Sequence, residues 1–148
     1  MSAKPNDIFV FFNEIGIINQ LSSHRFERSL PDGLTLSQFS VLNNFARLGG
    51  TRTPAQLAAA FQVTKGAMTN TLNRLKDRGA IKITDDPDDG RRKVVSITRA
   101  GLALRERAVK ASGEAVEEIL PLLDTEWMQD VIPKLQELRA TLDKARDI

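Results

Sequence analysis

The stretch Thr53–Thr98, TPAQLAAAFQVTKGAMTNTLNRLKDRGAIKITDDPDDGRRKVVSIT, constrains the fold most, because two helical patterns give way to two alternating ones across short turns. Thr53 is placed to cap a first helix while Gln56 reaches back in a Thr-x-x-Gln capping box. Pro54 falls at the first helical position, where a missing N–H costs nothing. Leu57, Ala58 and Phe61 give that helix one apolar side, and Gln62 and Val63 fill a tight turn. Thr64 then caps a second helix running to about Arg78, and Gly79 stands where helix ends favour glycine. Met68, Leu72 and Leu75 recur at spacings of four and three, so they share one stripe that must be buried.

The opposite side of the second helix holds Gly66, Asn70 and Asn73, flanked by Thr69 and Arg74, with Thr64 and Lys65 at its start. Short donors and acceptors around a glycine suit close approach to base edges in a major groove, where Asn pairs with adenine and Arg with guanine or a phosphate. The alternative is an ordinary solvated helix face. The hairpin tips the balance. Ile81 and Ile83 alternate with Lys82 and Thr84, and Val95 and Ile97 alternate with Ser96 and Thr98, giving two half-buried strands. Between them Pro87 and Gly90 mark a turn, and Arg91, Arg92 and Lys93 crowd the returning edge. Arginines on a protruding loop favour a narrow, electronegative minor groove. The competing account, a charged hairpin balanced by its own aspartates, does not explain why three cations sit together. Helix, turn, helix and hairpin in this order predict a mainly α fold with a small β-wing, a winged helix-turn-helix.

Further residues carry a resemblance. SQFSVLNNF with its Gln38 and Leu42, TPAQLAAAF, VTKGAMTNTLNRLKDRGAI and DPDDGRRKVVSITRAG are similar to the MarR family of bacterial winged-helix regulators, from about Leu34 to Gly101. The most specific element is a wing pattern of Asp-x-Arg, a strand, Leu or Ile, Thr and Gly, met by Asp89, Arg91, Ile97, Thr98 and Gly101. The resemblance implies a homodimer on double-stranded DNA, most often a repressor on a pseudopalindromic operator. Its recognition helices would enter successive major grooves and its wing arginines the minor grooves, with Arg91 inserted and Asp89 orienting it. It also implies release by a small aromatic or anionic effector held between the dimer helices and the DNA-binding lobe. Gly90 departs from the pattern, since many members carry arginine there, which leaves the share of Arg92 open. The rival reading is a winged-helix protein-interaction module whose wing cations meet an acidic partner.

Charge is distributed unevenly along the 148 residues. Residues 53–99 carry nine Lys or Arg against five Asp or Glu, whereas residues 100–148 carry seven against ten. The positive excess thus lies on the segment read as touching DNA. With no cysteine, disulfides and thiol switches are excluded, and the single His24 lacks the partners a zinc site needs. The apolar run Ile8–Phe12 is too short for a signal peptide or a membrane span, so a cytoplasmic protein is expected.

Outside the central stretch, Met1 to Pro5 reads as a polar tail and Asp7 to Ser29 as a helix. Ile8 to Phe12 and Ile15 to Ile18 put apolar residues on more than one face of that helix, which favours cover by a second chain. Thr35 opens the next helix with a box closed by Gln38, and Phe39, Leu42, Phe45 and Leu48 follow as its core side. After the hairpin, Thr98 caps a long stalk helix through Leu102, Val109, Val116, Ile119 and Leu120, with Gly113 a weak point and Pro121 a stop or a kink. Asp124 begins a last helix with a seam of Met128, Val131, Leu135, Leu138 and Leu142, where Pro133 predicts a bend or a restart. The expected organisation is a dimerisation helix at 1–33, a DNA-binding lobe at 34–98, and a stalk with dimerisation helices at 99–148, forming one compact domain.

The aspartates of the wing do not make a calcium loop, because Pro87 occupies a ligand position and Ser96 stands where the bidentate Glu belongs. They are expected to shape the turn and pair with Arg91, Arg92 or Lys93. His24 is the one residue with a case for lining an effector pocket, against the plainer role of a solvated histidine at a helix end. Trp127 is read as core or dimer packing. There is no nucleophile with a base, no acidic pair set by a motif, and no cofactor or metal signature, so an enzyme is not expected.

Overall fold

A computed structural model describes residues 4–146. Residues 1–3 of the expected tail lie outside them, and Pro5, assigned to that tail, already begins a helix. Six helices and two strands follow in order: α1 (Pro5–Ser29), α2 (Leu36–Leu48), α3 (Pro54–Phe61), α4 (Lys65–Asp77), β1 (Ile81–Asp85), β2 (Lys93–Ile97), α5 (Arg99–Val116) and α6 (Thr125–Lys144). Short 3-10 turns occupy Pro31–Gly33 and Leu120–Leu122. No helix among the described residues is long and apolar enough to cross a membrane.

Local chemistry explains the central boundaries. Thr53 Oγ1 accepts from the Gln56 N–H at 3.1 Å while Gln56 Oε1 accepts from the Thr53 N–H at 2.9 Å, closing the expected capping box. Thr64 Oγ1 accepts from the Ala67 N–H at 3.1 Å and starts α4. Gly79 takes φ +71° after α4, a left-handed turn that a side chain would resist. The turn between α3 and α4 is made the harder way, with Gln62 itself at φ 53°.

These elements close on one core. Met68, Leu72 and Leu75 of α4 are buried, as are Leu57 and Ala58 of α3, Val41, Leu42 and Phe45 of α2, Ile81 and Val95 of the strands, and Leu104 and Ala108 of α5. Each fully buried large side chain contributes about 1.5–3 kcal/mol. The hairpin is antiparallel with Ile83 opposite Val95, so its apolar face closes the lobe. Where α5 begins, Thr98 donates from its backbone N–H to the Ala80 carbonyl at 3.1 Å and from Oγ1 to the Gly79 carbonyl at 2.6 Å. A Cβ on Gly101 would lie 2.0 Å from the Ala80 oxygen, so only glycine admits this approach.

Several expectations are corrected. The box at Thr35 closes on one side only: Thr35 Oγ1 accepts from the Gln38 N–H at 3.2 Å, but the Gln38 side chain is buried, one turn before Leu42 on the inner face. Val41 takes the place expected of Leu48, which ends the helix and is exposed. Helix α5 stops at Val116, short of Ile119 and Leu120, because Pro121 cannot donate to the carbonyl of residue 117 and its ring crowds it. Helix α6 runs through Pro133 without a restart. Trp127 is 61% exposed and belongs to no core of this chain.

The chain divides into two compact units, Met1–Ala115 and Val116–Ile148. In the first unit α1 joins the lobe through Phe26, whose ring meets Phe39 edge-on at 4.8 Å, and Leu104 and Ala108 carry α5 into the core. The second unit holds α6, which has no buried residue.

Candidate nucleic-acid interface

Burial of the Met68–Leu72–Leu75 stripe turns the other side of α4 to solvent. Thr64, Lys65, Gly66, Thr69, Asn70, Asn73 and Arg74 are all exposed there, as the period of the helix requires. The wing is shaped by its aspartates. Asp89 Oδ1 accepts from the Arg91 N–H at 3.0 Å, Asp86 Oδ1 accepts from the Asp88 N–H at 3.0 Å, and the Arg92 N–H donates to the Asp89 carbonyl at 2.9 Å. Asp89 therefore holds the Arg91 backbone within the turn, and the Arg91 side chain is exposed. Lys93 pairs with Asp85 across the hairpin, and neither Arg91 nor Arg92 makes an ion pair among the described residues. The expected aspartate pairing thus goes to the lysine, because Asp85 and Lys93 are directly opposite in register.

Helix α4 and the wing meet across a groove of about 360 Å³ lined by Thr53, Pro54, Lys65, Thr69, Arg92 and Lys93, among others. It joins Lys65 and Thr69, one turn apart on α4, to two wing cations. Asn70, Asn73, Arg74 and Arg91 are exposed but do not line it, so the groove brings together Lys65, Thr69, Arg92 and Lys93 and not the other predicted residues. The first turn of α3 was missed as part of this site. Thr53 and Pro54 signalled a helix start in the sequence, and only folding brings that start beside the wing.

Also missed was Arg52. Its N–H donates to the Val95 carbonyl at 3.1 Å and its carbonyl accepts from the Val95 N–H at 2.7 Å, a one-residue third strand on β2. A lone pairing residue has no periodicity to announce it. His24 is exposed. Among the described residues no group of acidic, histidine or cysteine side chains could hold a metal ion.

Fold and face together define a winged helix-turn-helix protein. The MarR family model matches residues 32–92. The chain is 31% identical to the multiple antibiotic resistance protein MarR of Salmonella typhimurium over 78% of its own length and 80% of that protein's. It is 30% identical to the transcriptional regulator HosA of Escherichia coli O111:H-, over 78% and 84% of the two chains. Among solved structures, a variant of Escherichia coli MarR complexed with operator DNA has a TM-score of 0.69 at 27% identity, covering 93% of this chain and 99% of that one. The regulator BldR of Sulfolobus solfataricus shares the fold with a TM-score of 0.78 at 24% identity, over 97% and 99% of the chains. The chain belongs to the MarR family of transcriptional regulators.

Proposed function

We propose that the protein acts as a homodimer on a pseudopalindromic operator, repressing transcription until a small aromatic or anionic ligand releases it. The observation that carries this reading is the groove that joins Lys65 and Thr69 of α4 to Arg92 and Lys93 of the wing. A relative of the same fold has been solved on operator DNA, which supports carrying that partner over. Dimerisation is supported by α1, whose Phe9 and Leu21 are 68% and 71% exposed.

In this reading α4 of each protomer enters a major groove, with half-sites about 34–36 Å apart. Asn70, Asn73 and Arg74 read base edges while Thr64, Lys65 and Thr69 meet phosphates. Arg91 enters the minor groove, and Arg92 and Lys93 hold the adjoining backbone. The test is a salt titration on selected operator fragments with genomic DNA as competitor. If the dimer neutralises about six phosphates, log affinity falls against log salt with a slope near −5. Arg91→Ala should weaken binding to all sequences, whereas Asn70→Ala should relax discrimination at one base pair by about 1–3 kcal/mol. A slope near zero, or gel shifts unmoved by both substitutions, would remove the interface from α4 and the wing.

A further inference from the structure

We propose that Arg52 is a positioning residue for the wing: its guanidinium is anchored on α2 while its backbone holds the middle of β2, and the two together set the angle at which Arg91 is presented. The proposal rests on the operator-binding reading above.

A two-stranded ribbon is marginal by itself and twists freely unless something holds it. Three interactions of Arg52 supply that hold. Its backbone exchanges both hydrogen bonds with Val95, on the edge of β2 that faces away from β1. Its Nη1 donates to the Gly49 carbonyl at 2.7 Å, at the C-cap of α2, where the helix end carries partial negative charge. Its Cζ lies 5.3 Å from the centroid of the Phe45 ring, within reach of a cation–π contact.

The arrangement is specific in its consequences. Phe45 is 2% exposed and Val95 is fully buried, so both ends of the clamp are rooted in the core. Helix α4 packs against α2 in that core. Arg52 therefore ties the wing to the frame that carries the recognition helix, without lining the groove between them. Arginine suits the role better than lysine, since a planar fork can stack on Phe45 while donating in its own plane to Gly49.

The experiment uses the full chain. Arg52→Ala keeps the backbone pairing but removes both side-chain anchors. Hydrogen exchange at the Val95 amide should then quicken by about tenfold while amides in the middle of α4 stay as they were. Operator affinity should fall by about tenfold, with the lost hydroxyl-radical protection confined to the minor groove under the wing.

A double-mutant cycle with Arg91→Ala decides between positioning and simple weakening. If Arg52 acts through the wing tip, the double variant loses less than the product of the two single losses, whereas independent losses multiply. Multiplying losses, or unchanged Val95 exchange in Arg52→Ala, would overturn the assignment. Should the alanine variant not fold, Arg52→Lys is judged by the same two criteria, with smaller shifts in the same direction. A wild-type chain that binds no duplex would refute the operator reading, and the Val95 measurement would still decide the role of Arg52.

Discussion

Leu42, Leu57 and Leu75 in the winged lobe are cut off from water entirely, whereas neither α1 nor α6 contains a buried residue. Both kinds of region are rich in apolar side chains at helical spacing, so composition does not separate them. What differs is whether the chain itself supplies the opposing surface. In the lobe, α2 to α5 and the hairpin converge on one cluster, and the core is complete within a single copy. Helix α1 touches the lobe near its C-terminal end, where Phe26 meets Phe39, and presents Phe9, Ile18 and Leu21 to solvent. In the second unit Ile132, Leu135 and Leu142 of α6 are likewise exposed. The lobe thus completes its own core, whereas the two terminal helices leave apolar side chains uncovered.

The largest expected effect tests the contrast directly. Leu57→Ala should cost about 2–5 kcal/mol in a urea melt at any protein concentration, because it empties a site within one chain. Phe9→Asp should instead leave the lobe folded and lower the melting temperature in a concentration-dependent way, with sedimentation reporting monomer. Equal melting at all concentrations for Phe9→Asp would break the comparison.

Smaller effects sharpen it inside one helix. Gly101→Ala at the start of α5 drives a methyl into the Ala80 carbonyl and should destabilise by about 1–3 kcal/mol or more. Gly113→Ala, further along α5, meets nothing within 4 Å and should stabilise by about 0.5–1 kcal/mol through helix propensity alone. Opposite signs in calorimetry are the expected result. Smallest in cost is Thr64→Ala, which removes one cap and should lose about 1 kcal/mol, read from a denaturant midpoint.

How far the site was legible follows from the range of the signals. Thr53, Gln56, Thr64 and Gly79 act on neighbours three or four residues away, and each does what its spacing announces. The stripe of α4 declares its buried side and so, by subtraction, its exposed one. Gln38 shows where such rules stop: the same Thr-x-x-Gln spacing that closes a box at Thr53 fails at Thr35, because Gln38 lies on the face that must be buried. Pro121 and Pro133 make a similar pair. One ends α5 ahead of itself, whereas the other is carried inside α6.

The amino-acid order alone determined the helix-turn-helix, the hairpin and its cationic edge, since caps, periodicity and turn residues act over a few bonds and need no distant partner. Only the tertiary structure decided that Arg52 would bond Val95, that the first turn of α3 would line the groove beside Arg92, and that Gly101 would sit against Ala80. Those contacts join segments whose meeting depends on how all the buried faces pack at once. A single residue carries no local trace of a partner it meets only when the core has closed.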